Sequence, residues 1–178
     1  SELNMTTPTQ LYDEMMMAGD IKPDVVQQAL LPELDRIQKQ LIKRQRQRDV
    51  RINTVRRKIK PRPPVLGIYL WGSVGIGKTF LLDLLFGLLP VKKYRAHFHH
   101  FMRDIHEQLN NIQGVSDPLK KIAYDIAEQY TVIFLDEFVV NDIADAMILG
   151  ELFSYLFARG LCLITTSNRP PDELYFNG

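Results

Sequence analysis

Cysteine and long apolar runs are both scarce in this sequence of 178 residues. Cys162 is the single cysteine, so the chain has no internal disulfide and no zinc–thiolate cluster. No run approaches the roughly 18 consecutive apolar residues of a membrane-spanning helix. The opening residues, SELNMTTPTQ, also lack the basic and then apolar layout of a signal peptide. These absences predict a soluble, cytoplasmic protein.

Charge is nearly balanced, with 22 Lys and Arg against 21 Asp and Glu, but it is unevenly distributed. Twelve basic residues and one acid, Asp49, lie within residues 36–62, which we call the basic tract. Such a tract is typical of a solvated helix, or of a surface for nucleic acid, an anionic membrane or an acidic protein. Because it lacks interleaved aromatic residues, base stacking is not expected, and we predict no specific nucleic acid partner. Contact with a membrane surface through the tract stays open.

Residues 1–62 are predicted to form a helical N-terminal extension that contains the basic tract. Apolar residues at helical spacing indicate a short helix over Thr9–Ala18. Pro23 and Pro32 are each predicted to open a further helix, because proline is well tolerated in the first turn.

Residues 63–178 are predicted to form the core of the fold, because apolar strands alternate with helices there. This pattern favours an α/β fold, in which a parallel sheet is covered by helices on both faces. The composition, 46% hydrophobic and 24% charged, suits such a domain. The predicted strands are Val65–Leu70, Tyr94–His99, Thr131–Leu135 and Leu161–Thr166, and the helices are Lys78–Leu89, Met102–Leu109, Pro118–Gln129 and Asp142–Ala158. With no fifth strand after these, we expect the chain to be part of a longer protein.

A glycine-rich segment between the first strand and the first core helix matches the phosphate-loop pattern GxxxxGK[ST]. Its glycines allow the backbone to turn its N–H groups onto phosphate oxygens at the positive end of the helix. The lysine is expected to reach the β and γ phosphates, and the threonine hydroxyl to bind Mg²⁺. The segment comprises Gly72, Ser73, Val74, Gly75, Ile76, Gly77, Lys78 and Thr79.

Two acids, Asp136 and Glu137, follow the apolar strand Thr131–Leu135. The carboxyl ends of parallel strands are where open α/β sheets bind ligands. We therefore predict that Asp136 holds Mg²⁺ or its water, and that Glu137 orients or deprotonates the water that attacks the γ-phosphate.

Asn168 ends the next strand and is placed to hydrogen-bond the γ-phosphate or the attacking water. The alternative is an ordinary turn residue before Arg-Pro-Pro. His97 and His99 alternate in the second predicted strand, so both would lie on one face. Since no third ligand is suitably spaced, we expect packed or hydrogen-bonded histidines rather than a metal site.

Four segments together resemble the AFG-like ATPases, a branch of the AAA+ group: GSVGIGKT, HFHHFM, FLDEFVVNDIADAMILG and TTSNRPPDELYFNG. The resemblance implies a P-loop NTPase fold of AAA+ type with central strand order 5-1-4-3-2. It also implies ATP and Mg²⁺ as cofactors, with residues 72–79 as phosphate loop, Asp136 for the metal, Glu137 as catalytic glutamate and Asn168 as sensor. A fifth strand, a helical lid and an arginine that reaches a neighbour's site would lie beyond residue 178. In bacterial cell-division members, the implied action is on polymers of FtsZ, and full-length proteins are expected to form hexamers.

Three functions are compatible with these patterns. The first is Mg²⁺-dependent ATP hydrolysis that drives work on a protein, either FtsZ or a substrate of protein quality control. The second is a nucleotide-gated binder of anionic surfaces through the basic tract. The third, a GTP switch or phosphoryl transferase, is disfavoured because the sequence has no Asn-Lys-x-Asp guanine-reading motif.

Overall fold

The computed structural model describes residues 5–54, 65–72 and 77–170. Within them, four strands form one sheet in the order β1-β4-β3-β2, and every pairing is parallel. This confirms the predicted parallel sheet, and it agrees with the 1-4-3-2 portion of the strand order that the resemblance implies. The strands are β1 (Ile68–Trp71), β2 (Lys93–His97), β3 (Val132–Asp136) and β4 (Cys162–Ser167).

Helices precede the sheet and connect its strands. Their starts follow capping chemistry: the side chains of Thr7, Asp117 and Asp142 accept backbone N–H groups at the first turns of α1, α5 and α6. Gly160, with φ of +83°, follows the end of α6, as the sequence predicts. The helices are α1 (Pro8–Met17), α2 (Val25–Thr54), α3 (Lys78–Gly87), α4 (Phe98–Asn111), α5 (Pro118–Gln129) and α6 (Ile143–Ala158).

The core has two parts, one on each face of the sheet. Alternation along β3 sends Ile133 and Leu135 toward α4, α5 and α6. It sends Val132 and Phe134 to the other face, toward α1, α2 and α3. All four side chains are completely buried, so β3 is covered on both sides, as its unbroken apolar sequence predicts.

The prediction for the second strand and the helix after it is wrong at their junction. Helix α4 begins at Phe98 rather than Met102, so His99 lies in a helix and does not share a strand face with His97. The His97 side chain caps α4 by accepting the His99 N–H. Buried residues then recur at helical spacing, as Phe98, Phe101, Met102 and Ile105.

The prediction of two separate helices around Pro32 is also wrong, because α2 runs through Pro32 without a break. Proline in a helix interior removes one hydrogen bond and costs about 3 kcal/mol. Its ring faces solvent here, while the opposite face of α2 is fully buried at Leu34, Ile37 and Leu41. Burial of that face offsets the cost of the proline.

The described part of the basic tract is attached to the core. Gln45 is buried, and its Oε1 accepts from the Thr131 hydroxyl at 2.6 Å and from the Lys92 N–H at 3.1 Å. Arg48 donates to the backbone carbonyls of Glu128 and Tyr130. Helix α2 therefore packs against the sheet up to this point. Tract residues 55–62 and the predicted boundary at residue 62 fall outside the described residues.

The structure also bears on the single cysteine and on the scarcity of long apolar runs. Cys162 is buried in β4, and desolvation raises the pKa of its thiol to about 12, so the thiol stays protonated and unreactive at neutral pH. Among the described helices, none combines the length and apolarity that a bilayer-spanning segment needs.

Gly67 permits the close approach of β1 to β4. A Cβ at this position would lie 1.7 Å from the backbone oxygen of Leu163, which cannot move aside as a flexible side chain can. We expect Gly67→Ala to force the strands apart and to lower the free energy of unfolding by about 3 kcal/mol. Urea unfolding of the purified protein measures the change.

The matched control is Gly150→Ala in the middle of α6. Apart from the adjoining residues and the backbone of α6 itself, no described atom lies within 4 Å of the added Cβ there, and alanine is the better helix former by about 1 kcal/mol. We expect this variant to be more stable than the parent. Equal unfolding midpoints for the two variants would contradict the proposed role of Gly67.

Candidate nucleotide-binding site

The two ends of the predicted phosphate loop have backbone conformations that favour glycine. Gly72 follows β1 with φ of +151°, and Gly77 precedes α3 with φ of +75°. Helix α3 then begins at Lys78, so its free N–H groups and its positive dipole end face the loop. Ser73, Val74, Gly75 and Ile76 lie outside the described residues.

Lys78 joins the loop to the neighbouring strand. Its Nζ donates to the backbone oxygen of Gly72 and, at 2.8 Å, to Oδ1 of Asn168 at the end of β4. Desolvation lowers the pKa of Lys78, and the negative charge of Glu137 opposes that shift. The structure thus brings together three of the predicted site residues, from three different elements.

Asp136, the predicted metal ligand, is paired with an arginine from β2. Arg95 Nε lies 2.7 Å from Asp136 Oδ2, and Nη2 lies 3.1 Å from Oδ1. The third guanidinium nitrogen, Nη1, contacts Asp83 Oδ1 of α3 at 2.6 Å. Partial burial acts to lower the pKa of Arg95, but the hydrogen bonds that it donates to Asp136 and Asp83 outweigh this effect and raise the pKa.

Glu137 has a strained backbone that β4 holds in place. Its φ is +56°, in the left-handed region that residues other than glycine seldom adopt. Its N–H donates to the buried Thr166 hydroxyl at 3.0 Å, and the next N–H, of Phe138, donates to the Thr166 carbonyl at 2.7 Å. These bonds turn the chain sharply after β3, so that the Glu137 side chain is exposed at the sheet edge.

His97 contacts the Glu137 carboxylate, with 2.6 Å between Nε2 and Oε2. The other ring nitrogen, Nδ1, accepts the His99 N–H and so carries no proton. The proton of a neutral ring must then be on Nε2, which donates it to Glu137. The predicted catalytic carboxylate is therefore held by a hydrogen bond from the end of β2.

The N-terminal helices reach the same loop. Tyr12 is completely buried, and its hydroxyl accepts the Asp24 N–H at 3.1 Å and donates to Gln27 Oε1 at 3.2 Å. Gln27 lies so close to the loop that a Cβ on Gly77 would meet its Nε2 at 2.0 Å. Residues from the helical extension thus form part of the wall of the site.

The oxygen donors near α3 suit Mg²⁺, which prefers oxygen ligands and takes one or two carboxylates along with substrate phosphates. Thr79 is exposed in the first turn of α3. Asp83 lies one turn further along the same helix face, and Arg95 links it to Asp136. The predicted donors, the Thr79 hydroxyl and the Asp136 carboxylate, therefore fit the metal that the fold implies.

Sequence reasoning missed Arg95 and Asp83 and did not foresee the contact between His97 and Glu137. The sequence of β2 does contain a pattern that indicates such contacts. Lys93, Arg95 and His97 alternate along it, which places three polar side chains on one face of a strand in a sheet expected to be covered on both sides. Such a face indicates partners of opposite charge, but it does not say which carboxylates these are.

A sequence profile of the AFG1-like ATPase family matches residues 6–178. The chain is 43% identical to cell division protein ZapE of Escherichia coli K12 over an alignment of 185 positions, which covers 99% of this chain and 49% of that protein. It is 44% identical to lactation elevated protein 1 homolog B of Danio rerio, over 67% of this chain and 26% of that protein. The chain thus spans about half the length of ZapE, and less of the fish protein.

Solved structures agree on the fold. The crystal structure of DnaI matches with a TM-score of 0.55 at 17% identity, over 88% of this chain and 73% of that chain. At such identity the likeness bears on the fold alone, and it supports a P-loop fold of AAA+ type. Because the family profile extends over both the helical extension and the sheet, the chain belongs to the AFG1-like ATPase family.

Proposed function

We propose that this chain is the nucleotide-binding part of an enzyme that hydrolyses ATP with Mg²⁺ and uses the cycle to act on a protein partner. The observation that carries the proposal is the 2.8 Å contact between Lys78 Nζ and Asn168 Oδ1. This contact places the Lys78 ammonium between the N-terminus of α3 and the end of β4. Strand β4 is the neighbour of β3, which leads to the acidic pair. Membership of the AFG1-like ATPase family supports hydrolysis as the reaction.

Each predicted site residue has a role in this proposal. The backbone amides of residues 72–79 and the Lys78 ammonium bind the phosphates. Thr79 and Asp136 hold Mg²⁺, which when bound supplies positive charge against the phosphate oxygens. Glu137 accepts a proton from the attacking water, and Asn168 hydrogen-bonds that water or the γ-phosphate.

The geometry of Glu137 supports its role as base. Its carboxylate already has one hydrogen-bond donor, His97, 2.6 Å away, and its backbone is held by Thr166. A carboxylate oriented in this way presents its remaining lone pairs in defined directions, as orientation of a water molecule requires. Its exposure at the sheet edge leaves room for that water.

The proposed partner is a polymer of FtsZ or another protein substrate, and the proposed site of action is the cytoplasm. The identity with ZapE, which is named a cell division protein, supports a role in division. An action in protein quality control is the alternative within the same family. Assembly into a homo-oligomer, a hexamer by resemblance, is part of the proposal for the full-length protein.

Competition between ATP and GTP for a fluorescent ATP analogue tests the nucleotide assignment. We expect ATP to displace the analogue from the full-length protein at lower concentration than GTP. A preference for GTP would contradict the proposal. Sedimentation of FtsZ filaments with the full-length protein, with and without ATP, then tests the partner, because an ATP-dependent change in pelleted FtsZ is expected.

A further inference from the structure

The carboxylate proposed to hold Mg²⁺ is already bound to a cation of the protein itself. Both oxygens of Asp136 contact the Arg95 guanidinium, at 2.7 and 3.1 Å. A carboxylate has about four lone-pair sites, and a guanidinium that binds through both oxygens occupies one on each. A metal ion on the same carboxylate would be repelled by the Arg95 charge unless Arg95 moved away from Asp136.

Arg95 has a second carboxylate on which it can remain. Its Nη1 lies 2.6 Å from Asp83 Oδ1 on α3. The two acids differ in environment, because the Asp83 side chain is 61% exposed and the Asp136 side chain only 20%. The guanidinium thus bridges an inner, shielded carboxylate and an outer, solvated one.

The surroundings keep Arg95 in reach of both acids. Its guanidinium lies over the Phe86 ring of α3, with 6.0 Å between Cζ and the ring centroid, and its side chain is 18% exposed. Packing of this kind limits the rotamers of a long side chain without fixing one ion pair. A small rotation about its last bonds would free Asp136 and keep the contact with Asp83.

We propose that Arg95 is a positioning residue that competes with Mg²⁺ for Asp136, and that Asp83 holds the guanidinium once the metal takes that carboxylate. The inference rests on the proposed function, since it requires a Mg²⁺–ATP site at Asp136. In this arrangement Arg95 keeps Asp136 neutralised and correctly oriented before nucleotide arrives. It also weakens the binding of metal, so metal and guanidinium exclude each other at one carboxylate.

The quantity that reports this competition is the dissociation constant for ATP in EDTA divided by the dissociation constant for ATP in excess Mg²⁺. The ratio measures the linkage between metal and nucleotide. A substitution that changes the affinity for ATP itself changes both constants by about the same factor, so this effect largely cancels in the ratio. Calorimetry on the full-length protein gives both constants without any dependence on turnover.

We expect Arg95→Met to raise this ratio about tenfold, which is typical of the coupling between groups in direct contact. Asp83→Asn should lower it, because Arg95 then has only Asp136 to hold. Lys93→Met is the matched control. Lys93 is a second cation on the same face of β2, and its Nζ contacts the Phe86 carbonyl and ring, so its removal should leave the ratio unchanged.

The double variant separates competition from simple charge effects. If Asp83 acts through Arg95, then Asp83→Asn should have no effect on the ratio once Arg95→Met is present. Additive effects of the two substitutions would overturn the proposal, and so would an unchanged ratio in Arg95→Met. If Arg95→Met does not fold, an unchanged ratio in Asp83→Asn overturns it, because Asp83 is exposed and its variant should fold.

Failure of the inference and failure of the proposed function give different results. A parent protein that binds no ATP in either buffer would remove the proposed function. A parent that binds ATP more tightly with Mg²⁺, together with an Arg95→Met variant of the same ratio, would remove the inference alone.

Discussion

In the full-length protein, Glu137→Gln is expected to lower the turnover of ATP by about 10²- to 10⁴-fold, the usual contribution of a general base. Binding of ATP should be retained. Glutamine has nearly the shape of glutamate and can still accept a hydrogen bond from His97 Nε2, which lies 2.6 Å from the carboxylate. It cannot take a proton from water, so the chemical step alone should fail.

Phosphate release under saturating ATP measures the turnover, and equilibrium binding of a fluorescent ATP analogue measures the affinity. Glu151→Gln is the matched control, since Glu151 is an exposed carboxylate on α6, outside the proposed site. It should hydrolyse ATP like the parent. Undiminished hydrolysis by Glu137→Gln would contradict the assignment of Glu137 as base.

The second large effect is expected for Lys78→Met, which removes the ammonium but keeps an unbranched side chain. Hydrogen bonds to charged groups contribute about 1.5–3 kcal/mol, so ATP affinity should fall about 10- to 150-fold. Loss of a cation that stabilises charge in the transition state should lower the rate by a further 10²- to 10³-fold. Here, unlike for Glu137→Gln, both binding and turnover should fall.

The contacts of Lys78 explain why its loss should act on the nucleotide. Its Nζ donates to a carbonyl oxygen, of Gly72, and to an amide oxygen, of Asn168. Both are neutral acceptors, which a phosphate oxygen can replace with a stronger, charge-assisted bond. Lys39→Met is the control, because Lys39 is exposed on α2. Tight ATP binding by Lys78→Met would show that the phosphates bind elsewhere.

The two substitutions together separate the steps of the proposed cycle. Glu137→Gln should accumulate the ATP-bound state, whereas Lys78→Met should remain largely without nucleotide at ATP concentrations that just saturate the parent. If the action on a protein partner follows ATP binding, only the first variant should still associate with that partner. If neither variant differs from the parent in sedimentation with FtsZ, the nucleotide does not control that association.

Much of the fold was predictable because it depends on local sequence. The apolar run of β3 predicts a strand covered on both faces, and its four inner residues are completely buried. Asp142 at the start of α6 and Gly160 after its end were recognisable as capping residues. Each of these features involves neighbours within one or two turns of chain, where side-chain chemistry limits the backbone directly.

Local reasoning failed where two local signals competed. Pro32 normally ends or begins a helix, but the buried face of α2 continues through it. The alternation of His97 and His99 predicts a strand, but His97 caps α4 instead. In both places the apolar residues that follow in the chain decided the outcome, because burying them stabilises the fold more than the local preference does.

The sequence by itself indicated the candidate nucleotide site, since the loop pattern, the acidic pair and Asn168 can be recognised from residue type and spacing. Tertiary structure alone decided which side chains bind the two acids and keep them in position. Arg95 reaches Asp136 across 41 positions and His97 reaches Glu137 across 40. These partners are set by the register of β2 against β3, in which His97 lies beside Asp136. Register depends on how whole strands pack, and a parallel neighbour far along the chain leaves no periodic mark in either segment.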